Sequence, residues 1–394
     1  MEKLSPRSVD ALLDPRAHAD STTDEIWREM RAVQPVAYHP PGGYPAFWSV
    51  TRMEDVRTVY ADPERFSSTG GVLLRPLERG EDPGTGLTLA LTDPPRHRGL
   101  RAILAPHFGE RSARELAAQI RADVRAVLIQ AADENEIDFA HDVAGRLSSL
   151  LISRLLGVPE ADLENVVEWI EEAFAAARPM TSHGRLTRYV IDLMEQRDRE
   201  PAADAVSLLL DGEVDAELLT ETEVLLNCEN LLGASENAGL SMAAGMAALL
   251  AHPEQWQNLR DHPESVASAV EEILRWGSSA THSMRTATRE TELSGHTIGV
   301  GDRVVLWVRS ANRDEREFDR PETFDIHRKP NRHVALGFGE HVCIGQVMAR
   351  HQTRILLEEL LTTAHSVEQT GPIVPLSSIA VNGPARLPVR LRLR

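Results

Sequence analysis

Lysine, cysteine and long apolar runs are scarce in this chain of 394 residues. The only lysines are Lys3 and Lys329, and the formal net charge is -18. Sequence-independent nucleic-acid binding needs a basic face, so this charge argues against it. The longest apolar runs are too short to span a bilayer, and the N-terminus lacks the apolar region of a signal peptide. We therefore expect a cytoplasmic protein that binds neither nucleic acid nor membrane.

The two cysteines are too far apart to suggest a disulfide framework. Cys343 lies in a glycine-rich loop, beside Gly339 and Gly345, and a helical pattern follows it. Backbone N–H groups can approach a sulfur closely beside glycines, and with the helix N-terminus they favour the thiolate. From these residues alone, Cys343 is open to three interpretations: a small buried side chain, a nucleophile, or a single soft ligand to a metal.

Helical periodicity dominates the chain, most clearly over residues 113–210 and 217–250. The second stretch is apolar almost all round, so we expect it to run through the core. Glu236 stands in its middle among small residues, where a carboxylate is costly unless it is paired or functional. Thr51 and Asp93 are predicted to cap helices that begin just after them.

Other stretches predict loops and short strands. Residues 66–89 are rich in glycine, serine and proline, and an irregular segment of this length is usually functional or mobile. Short strands are predicted at residues 35–38 and 46–50, and again over residues 291–314. A break at residues 179–184 separates two helices and predicts a compact connection.

The Cys343 loop resembles the haem-binding loop of cytochrome P450s, which reads F-G-x-G-x-H-x-C-x-G and continues into a helix carrying A-R. Leu336 stands where the family has phenylalanine. The matching residues are Gly337, Gly339, His341, Cys343, Gly345, Ala349 and Arg350. The family's H-x-x-x-R, acidic core helix, E-x-x-R and N-R-D segments occur in the family's order, so the resemblance extends from about Asp10 to the C-terminus.

The resemblance implies one mainly α domain with a small β-rich subdomain, built as a triangular prism of helices around haem. Cys343 would be the axial thiolate ligand of haem b, and His97, Arg101, Arg285 and His341 would complete its binding site. Its segments would be a lead-in at 1–30, a pocket loop at 66–89, lid helices at 160–200, a distal core helix at 217–250 and the cysteine loop at 333–350.

The resemblance also implies a structural ion pair between Glu272 and Arg275. Thr323 stands where the family often has an arginine that joins this pair. We therefore expect Arg328 or His333 to complete the network.

On the other side of the haem, Glu236 matches the family's acid and Asn237 replaces its usual threonine. By resemblance, Glu236 would feed protons and Asn237 would contact the bound oxygen. Asparagine can donate a hydrogen bond but is a poor proton relay. Ser235, an ordered water or a hydroxyl of the substrate could take over that role.

These features together indicate a monooxygenase that hydroxylates or epoxidises a medium-sized, largely apolar molecule, in secondary metabolism, with O2 and with electrons from a ferredoxin and its reductase. Three alternatives stay open: oxidation without oxygen insertion (coupling, cyclisation or desaturation), a peroxygenase driven by H2O2, and a non-catalytic haem sensor or scaffold. A locally basic face near Cys343 would suit an acidic ferredoxin. Its predicted cations are Arg96, Arg98, Arg111, Arg328, Lys329, Arg332 and Arg350.

Overall fold

Helices make up most of the architecture. The structure, a computed structural model, describes residues 10–77, 82–174 and 181–394. The helices are α1 (Pro15–Ala19), α2 (Thr22–Val33), α3 (Met53–Ala61), α4 (Arg96–Leu104), α5 (Glu110–Ala132), α6 (Arg146–Leu156), α7 (Leu163–Phe174), α8 (Thr181–Arg199), α9 (Ala205–Leu210), α10 (Glu221–Ala251), α11 (Pro253–Asp261), α12 (Val266–Gly277), α13 (Val308–Ala311) and α14 (Gln346–Thr363).

The strands are short, and most of them pair in antiparallel fashion. They are β1 (Val36–His39), β2 (Phe47–Val50), β3 (Phe66–Ser67), β4 (Ile137–Asp138), β5 (Glu213–Val214), β6 (Glu217–Leu218), β7 (Ser283–Ala287), β8 (Thr291–Leu293), β9 (His296–Ile298), β10 (Arg303–Leu306), β11 (Ala364–Gln369), β12 (Val374–Pro375), β13 (Pro384–Arg386) and β14 (Pro388–Leu393).

The largest sheet has five strands in the order β1-β2-β10-β7-β3. Strand β10 runs parallel to β2, with Val304 opposite Trp48, and antiparallel to β7, with Val304 opposite Arg285. Buried apolar side chains of this sheet and of α3 form one hydrophobic cluster. This part is the β-rich region that the sequence predicts.

The main hydrophobic core lies among the helices. It takes buried side chains from α5, α6, α10, α12 and α14. Helix α10 contacts α6, α12 and the π-helical turn Phe139–Gly145, so it is packed on several sides. Gly239 permits a close approach to α6 and to this turn, since a Cβ there would lie 2.9 Å from Ser148 Oγ and 3.2 Å from Ala144 O.

Helix α10 begins later than the sequence predicts. Residues 213–218 form the small hairpin β5–β6, and Thr220 caps the helix. The Thr220 side chain accepts from Glu223 N–H while the Glu223 carboxylate accepts from Thr220 N–H, which is a capping box. Helix α6 ends at its C-cap Gly157, whose φ of 85° lies in the left-handed region that favours glycine.

Two predicted helix caps are wrong. Thr51 donates its hydroxyl to Pro35 O, and the N-terminus of α3 is instead closed by Asp314, which accepts from Met53 N–H at 2.8 Å. Asp93 does not cap α4 through its side chain, because its carboxylate accepts from Ser67 Oγ and Ser68 N–H. Both predictions assumed that the side chain accepts a hydrogen bond from the nearby helix N-terminus. In the structure each side chain instead bonds to a partner more distant in the sequence.

The predicted lid region contains α7 and α8. The predicted break at 179–184 is only partly described, because residues 175–180 lie outside the described part of the chain. Residues 181–184 belong to α8 rather than to a break. Within the described residues, every helix is too short or too polar to cross a membrane.

Candidate active site

Glycines shape the loop that carries Cys343. Gly337 and Gly339 have φ of 75° and 71°, values that favour glycine. A Cβ on Gly339 would lie 2.7 Å from Tyr60 O, so the loop packs directly on the end of α3. Cys343 N–H donates to Leu336 O at 2.8 Å, and α14 begins three residues later at Gln346.

The Cys343 thiol lies deep among protein atoms and yet keeps accessible surface. Burial raises the pKa of this thiol, although Gly345 N–H and the guanidinium groups of Arg101 and Arg350 act in the opposite direction. The Gly345 N–H group and the two guanidinium groups thus act in the direction that the sequence predicts, while burial is the larger effect on the pKa of Cys343 in the protein alone.

Four nitrogen-bearing side chains gather near this cysteine. The rings of His97 on α4 and His341 have centroids 4.0 Å apart, and His97 Nδ1 is buried without a protein partner. Arg285 on β7 is buried and contributes no ion pair within the described residues. Arg101, one turn along α4 from His97, likewise has no carboxylate partner in the described part of the chain.

The electrostatics of this group are those of an anion receptor. Burial lowers the pKa of Arg101 and of Arg285. Burial and then the charges of Arg285, His97 and Arg101 lower the pKa of His341 to about 3. Buried cations without counter-charges are costly, so a ligand with carboxylates fits here. The four predicted cofactor-binding residues are thus brought together beside Cys343.

The Glu272–Arg275 pair is fully buried, with bonds of 2.8 Å from Arg275 Nε and Nη2 to the two carboxylate oxygens. Arg328 completes the network, because its Nε lies 3.1 Å from Glu272 Oε2. Both arginines also donate to Thr323 O. The prediction that Arg328 could replace the family's arginine is confirmed.

His333, the other candidate for this role, has a different partner. Its Nε2 lies 3.1 Å from Glu271, which also accepts two bonds from Arg350 at 2.6 and 3.0 Å. These bonds hold the pKa of Glu271 at about 2 in spite of its burial. Sequence reasoning missed Glu271, and its position beside Glu272 is the only signal that could have found it.

The middle of α10 faces open space. Leu231, Leu232, Gly239 and Leu240 are buried, whereas Ala234 between them is exposed. Glu236 is half-buried, and burial alone raises its pKa to about 7. A carboxyl group without a partner in the described residues, in the centre of an apolar helix, fits a proton-handling role.

Asn237 lies next to Glu236, and its Oδ1 is buried without a hydrogen-bond partner in the described protein. One turn further on, Ser241 Oγ lies 2.9 Å from Asn237 O and 3.0 Å from Ser279 Oγ. The hydroxyl of Ser235, the predicted substitute relay, donates to Leu232 O at 2.7 Å. Ser235 is therefore engaged within the helix.

Most of the predicted basic face is neutralised. Arg96 pairs with Glu223, Arg98 with Glu340, Arg111 with Glu115, Arg328 with Glu272 and Arg350 with Glu271. Lys329 and Arg332 are exposed and have no ion pair in the described residues. The prediction of a locally basic face is thus corrected to two cations, Lys329 and Arg332, that lack an ion pair within the described part of the chain.

The described residues contain no cluster of three or more His, Cys, Asp or Glu side chains that could hold a bare metal ion. A lone cysteine beside a receptor for carboxylates instead suits a metal carried by an organic group with acidic arms, and haem is such a group. Fold and site together define a haem-thiolate protein.

Comparisons with known proteins give the family. Residues 259–373 match the family model described as Cytochrome P450. Cytochrome P450 NovI of Streptomyces niveus is 32% identical over 98% of this chain and 98% of its own length. The 20-oxo-5-O-mycaminosyltylactone 23-monooxygenase of Streptomyces fradiae is 32% identical over 93% of this chain and 89% of its own. The chain belongs to the cytochrome P450 family.

The structural comparison agrees. The crystal structure of P450 OxyD, which is involved in the biosynthesis of vancomycin-type antibiotics, superposes with a TM-score of 0.91 at 31% identity. The match covers 97% of this chain and 99% of that one. The mainly α fold is therefore confirmed. The family binds haem through a cysteine thiolate, so haem is the cofactor, and the chain is a cytochrome P450 monooxygenase.

Proposed function

We propose that this monooxygenase hydroxylates or epoxidises a medium-sized, largely apolar organic molecule in the secondary metabolism of a bacterium. The observation that carries the proposal is the pair Glu236–Asn237, an unpaired acid beside an amide, at the point where the core helix α10 faces open space. A haem protein that only senses or supports a partner has no need of a half-buried, unpaired carboxyl group there.

The residues around Cys343 fit a haem-binding site. Cys343 would hold the iron of haem through its thiolate, and Arg101, Arg285, His97 and His341 would receive the two carboxylates, which would compensate the two buried guanidinium charges and give the unpaired His97 nitrogen a partner. When bound, haem with a thiolate ligand supplies oxygen activation by favouring cleavage of the O–O bond. The iron of a bound haem would also provide the positive charge that favours ionisation of the buried Cys343 thiol.

Glu236 holds the proton that the reaction consumes. Its pKa of about 7 makes it both a donor and a group that can be reprotonated near neutral pH. Asn237 can orient oxygen by donating from its amide, but it cannot relay the proton itself. A water or a substrate hydroxyl between Glu236 and the reacting oxygen completes the path, because the Ser235 hydroxyl is engaged with Leu232 O.

The substrate is expected to be largely apolar. The open face of α10 presents Ala234, and the pocket loop at 66–89 exposes Leu73 and Leu77. The one described charged pair in that loop, Arg75 with Asp82, neutralises itself at 2.6 Å. Such a lining favours a molecule held by contact area and few hydrogen bonds.

Secondary metabolism is supported by relatives. P450 OxyD takes part in the biosynthesis of vancomycin-type antibiotics, and the Streptomyces fradiae relative is a 23-monooxygenase of a mycaminosyltylactone. We propose cytoplasmic action, which agrees with two free cysteines. A ferredoxin and its reductase would supply the electrons, with Lys329 and Arg332 as contacts for an acidic donor.

Turnover with isotopically labelled dioxygen tests this proposal. The purified holoenzyme, given ferredoxin, reductase and NADPH, should place one labelled oxygen in the product. Oxidised product without label would favour coupling, cyclisation or desaturation. Turnover with H2O2 alone, undiminished without reductant, would favour a peroxygenase.

A further inference from the structure

Three separate stretches of chain meet around residues 279–284, which we call the bridge segment. Met284 N–H donates to Val72 O of the pocket loop at 2.8 Å. Thr281 N–H donates to Ala380 O at 2.9 Å, and Asn382 N–H donates to Ser279 O at 2.7 Å. The bridge segment therefore joins the pocket loop to residues 376–383, which we call the C-terminal segment.

The side chain of His282 makes the same connection a second time. Its Nδ1 lies 2.9 Å from Ile379 O in the C-terminal segment, and its Nε2 lies 2.9 Å from Leu74 N in the pocket loop. A carbonyl can only accept and a backbone N–H can only donate, so Nδ1 carries the proton and Nε2 is bare. One neutral imidazole thus spans both segments.

Packing holds this ring in place. His282 is 2% exposed, and its ring centroid lies 5.3 Å from that of Trp307. Leu74 is buried in the same cluster as Trp307, whereas its neighbour Leu73 is 37% exposed. Burial lowers the pKa of His282 to about 4, so the ring remains neutral near neutral pH. The side chain of His282 therefore holds the pocket loop in place at Leu74.

We propose that His282 is a positioning residue that fixes the pocket loop against the C-terminal segment and thereby determines which ligands the substrate site accepts. The inference rests on the proposed function, in which the pocket loop borders the substrate. Without the two imidazole bonds, a bulky ligand has to order the loop on binding, and this ordering weakens its affinity. A ligand small enough to leave the loop untouched should bind as before.

Three variants separate the two bonds. H282N can still donate to Ile379 O, H282Q can still accept from Leu74 N–H, and H282F can do neither. H39F is the matched control, because His39 is 1% exposed and stacks on Phe47 at 4.4 Å, but both of its ring nitrogens lack partners. It makes the same chemical change without the loss of a hydrogen bond.

Amide hydrogen exchange of the holoenzyme tests whether His282 holds the pocket loop, and it requires no turnover. Exchange at Leu74 should be about tenfold faster in H282F and H282N than in the unchanged protein. H282Q and H39F should leave it within about twofold. Equal exchange at Leu74 in all four variants would overturn the proposal.

Spectral titration of the haem with imidazole and with 4-phenylimidazole tests selectivity. In H282F the Kd for 4-phenylimidazole should rise about tenfold while that for imidazole stays constant, and H39F should change neither. A ratio of the two constants that is unchanged in H282F, or that moves the other way, contradicts the inference. If H282F does not fold, the same titrations compare H282N, which lacks the bond from Leu74 N–H, with H282Q, which keeps it. A protein that lacks the haem-thiolate spectrum in its unchanged form would instead contradict the proposed function.

Discussion

Glu236 owes its properties to its position rather than to a partner. It sits between small residues of a helix whose flanks are buried, and burial alone accounts for its raised pKa of about 7. Because the pKa in the folded protein is raised, the carboxyl group is neutral below about pH 7 and charged above it. The protonated form is the donor, so proton supply should weaken as the pH rises.

The pH dependence of turnover tests this reading. The product-forming rate should fall above about pH 7, and E236Q should lower the rate about 100-fold while removing that fall. E221Q is the control, since Glu221 lies exposed in the first turn of the same helix and should change nothing. An E236Q variant that keeps the full rate and the same pH profile would exclude Glu236 as the proton donor.

Asn237 is assigned a different task, orientation of oxygen by its amide. N237A should lower the product formed per NADPH consumed about tenfold, because one neutral hydrogen bond to oxygen is lost. N237T should retain most of the product yield, since its hydroxyl also donates. N230A, at an exposed position of the same helix, serves as the control. Equal coupling in N237A and in the unchanged protein would refute this role.

At the scale of elements, the network on Glu272 fastens α12 to the segment before the cysteine loop. Arg275 and Arg328 converge on one carboxylate and on Thr323 O, so two cations, one carboxylate and several carbonyls satisfy each other. The chain lacks the arginine that the family often has at 323. Arg328 compensates from five residues further along the sequence.

Removing one cation from this network should destabilise the fold. R328M should lower the free energy of unfolding by about 3 kcal/mol, because it leaves the buried Glu272 and three backbone carbonyls short of donors. R320M makes the same change at an exposed arginine whose partner Asp319 is also exposed, and it should cost less than about 0.5 kcal/mol. Chemical denaturation of both variants measures the difference, and equal midpoints would contradict this account.

Local sequence patterns predicted which helices and strands form better than they predicted where those elements begin and end. The capping box at Thr220 is purely local, but the hairpin before it moved the start of α10 from residue 217 to 221. The caps expected at Thr51 and Asp93 failed because Asp314 and Ser68, far away in the sequence, offered better-placed partners. Periodicity and glycine positions report on single segments, whereas such bonds exist only after the chain has folded.

At the scale of the whole molecule, the site contains residues that a sequence motif predicts and contacts that form only when the chain folds. Cys343, His97, Arg101, Arg285 and His341 follow from a motif resemblance, and the structure places them together. No motif predicts the bonds of Glu271 to Arg350 and His333 or the bonds of His282, so these contacts become visible only in the fold. We propose a single domain, because one hydrophobic core draws on residues from Leu89 to Leu391.

Surface charge gives a prediction for the electron donor. Within residues 10–77, 82–174 and 181–394, only Lys329 and Arg332 lack an ion pair among the cations assigned to the face near Cys343. Arg332 O accepts a bond from Arg57, whose guanidinium lies 5.9 Å from the Phe338 ring. The double variant K329E/R332E should raise the KM for ferredoxin about tenfold and leave kcat unchanged.

The double variant R392E/R394E, at exposed positions in the C-terminal strand region, is the charge-matched control. It carries the same change of net charge and should leave the KM for ferredoxin within about twofold. If both double variants raise the KM equally, overall charge and not a local contact governs docking.

The haem-thiolate assignment supports every other proposal, and the spectrum of the reduced protein with carbon monoxide tests it most directly. The purified holoprotein should give its Soret maximum at the thiolate position, and C343S should lose that band while C228S keeps it, since Cys228 is buried in α10. A Soret maximum at the position of histidine-ligated haem in the unchanged protein, or a thiolate band that survives in C343S, would contradict the account.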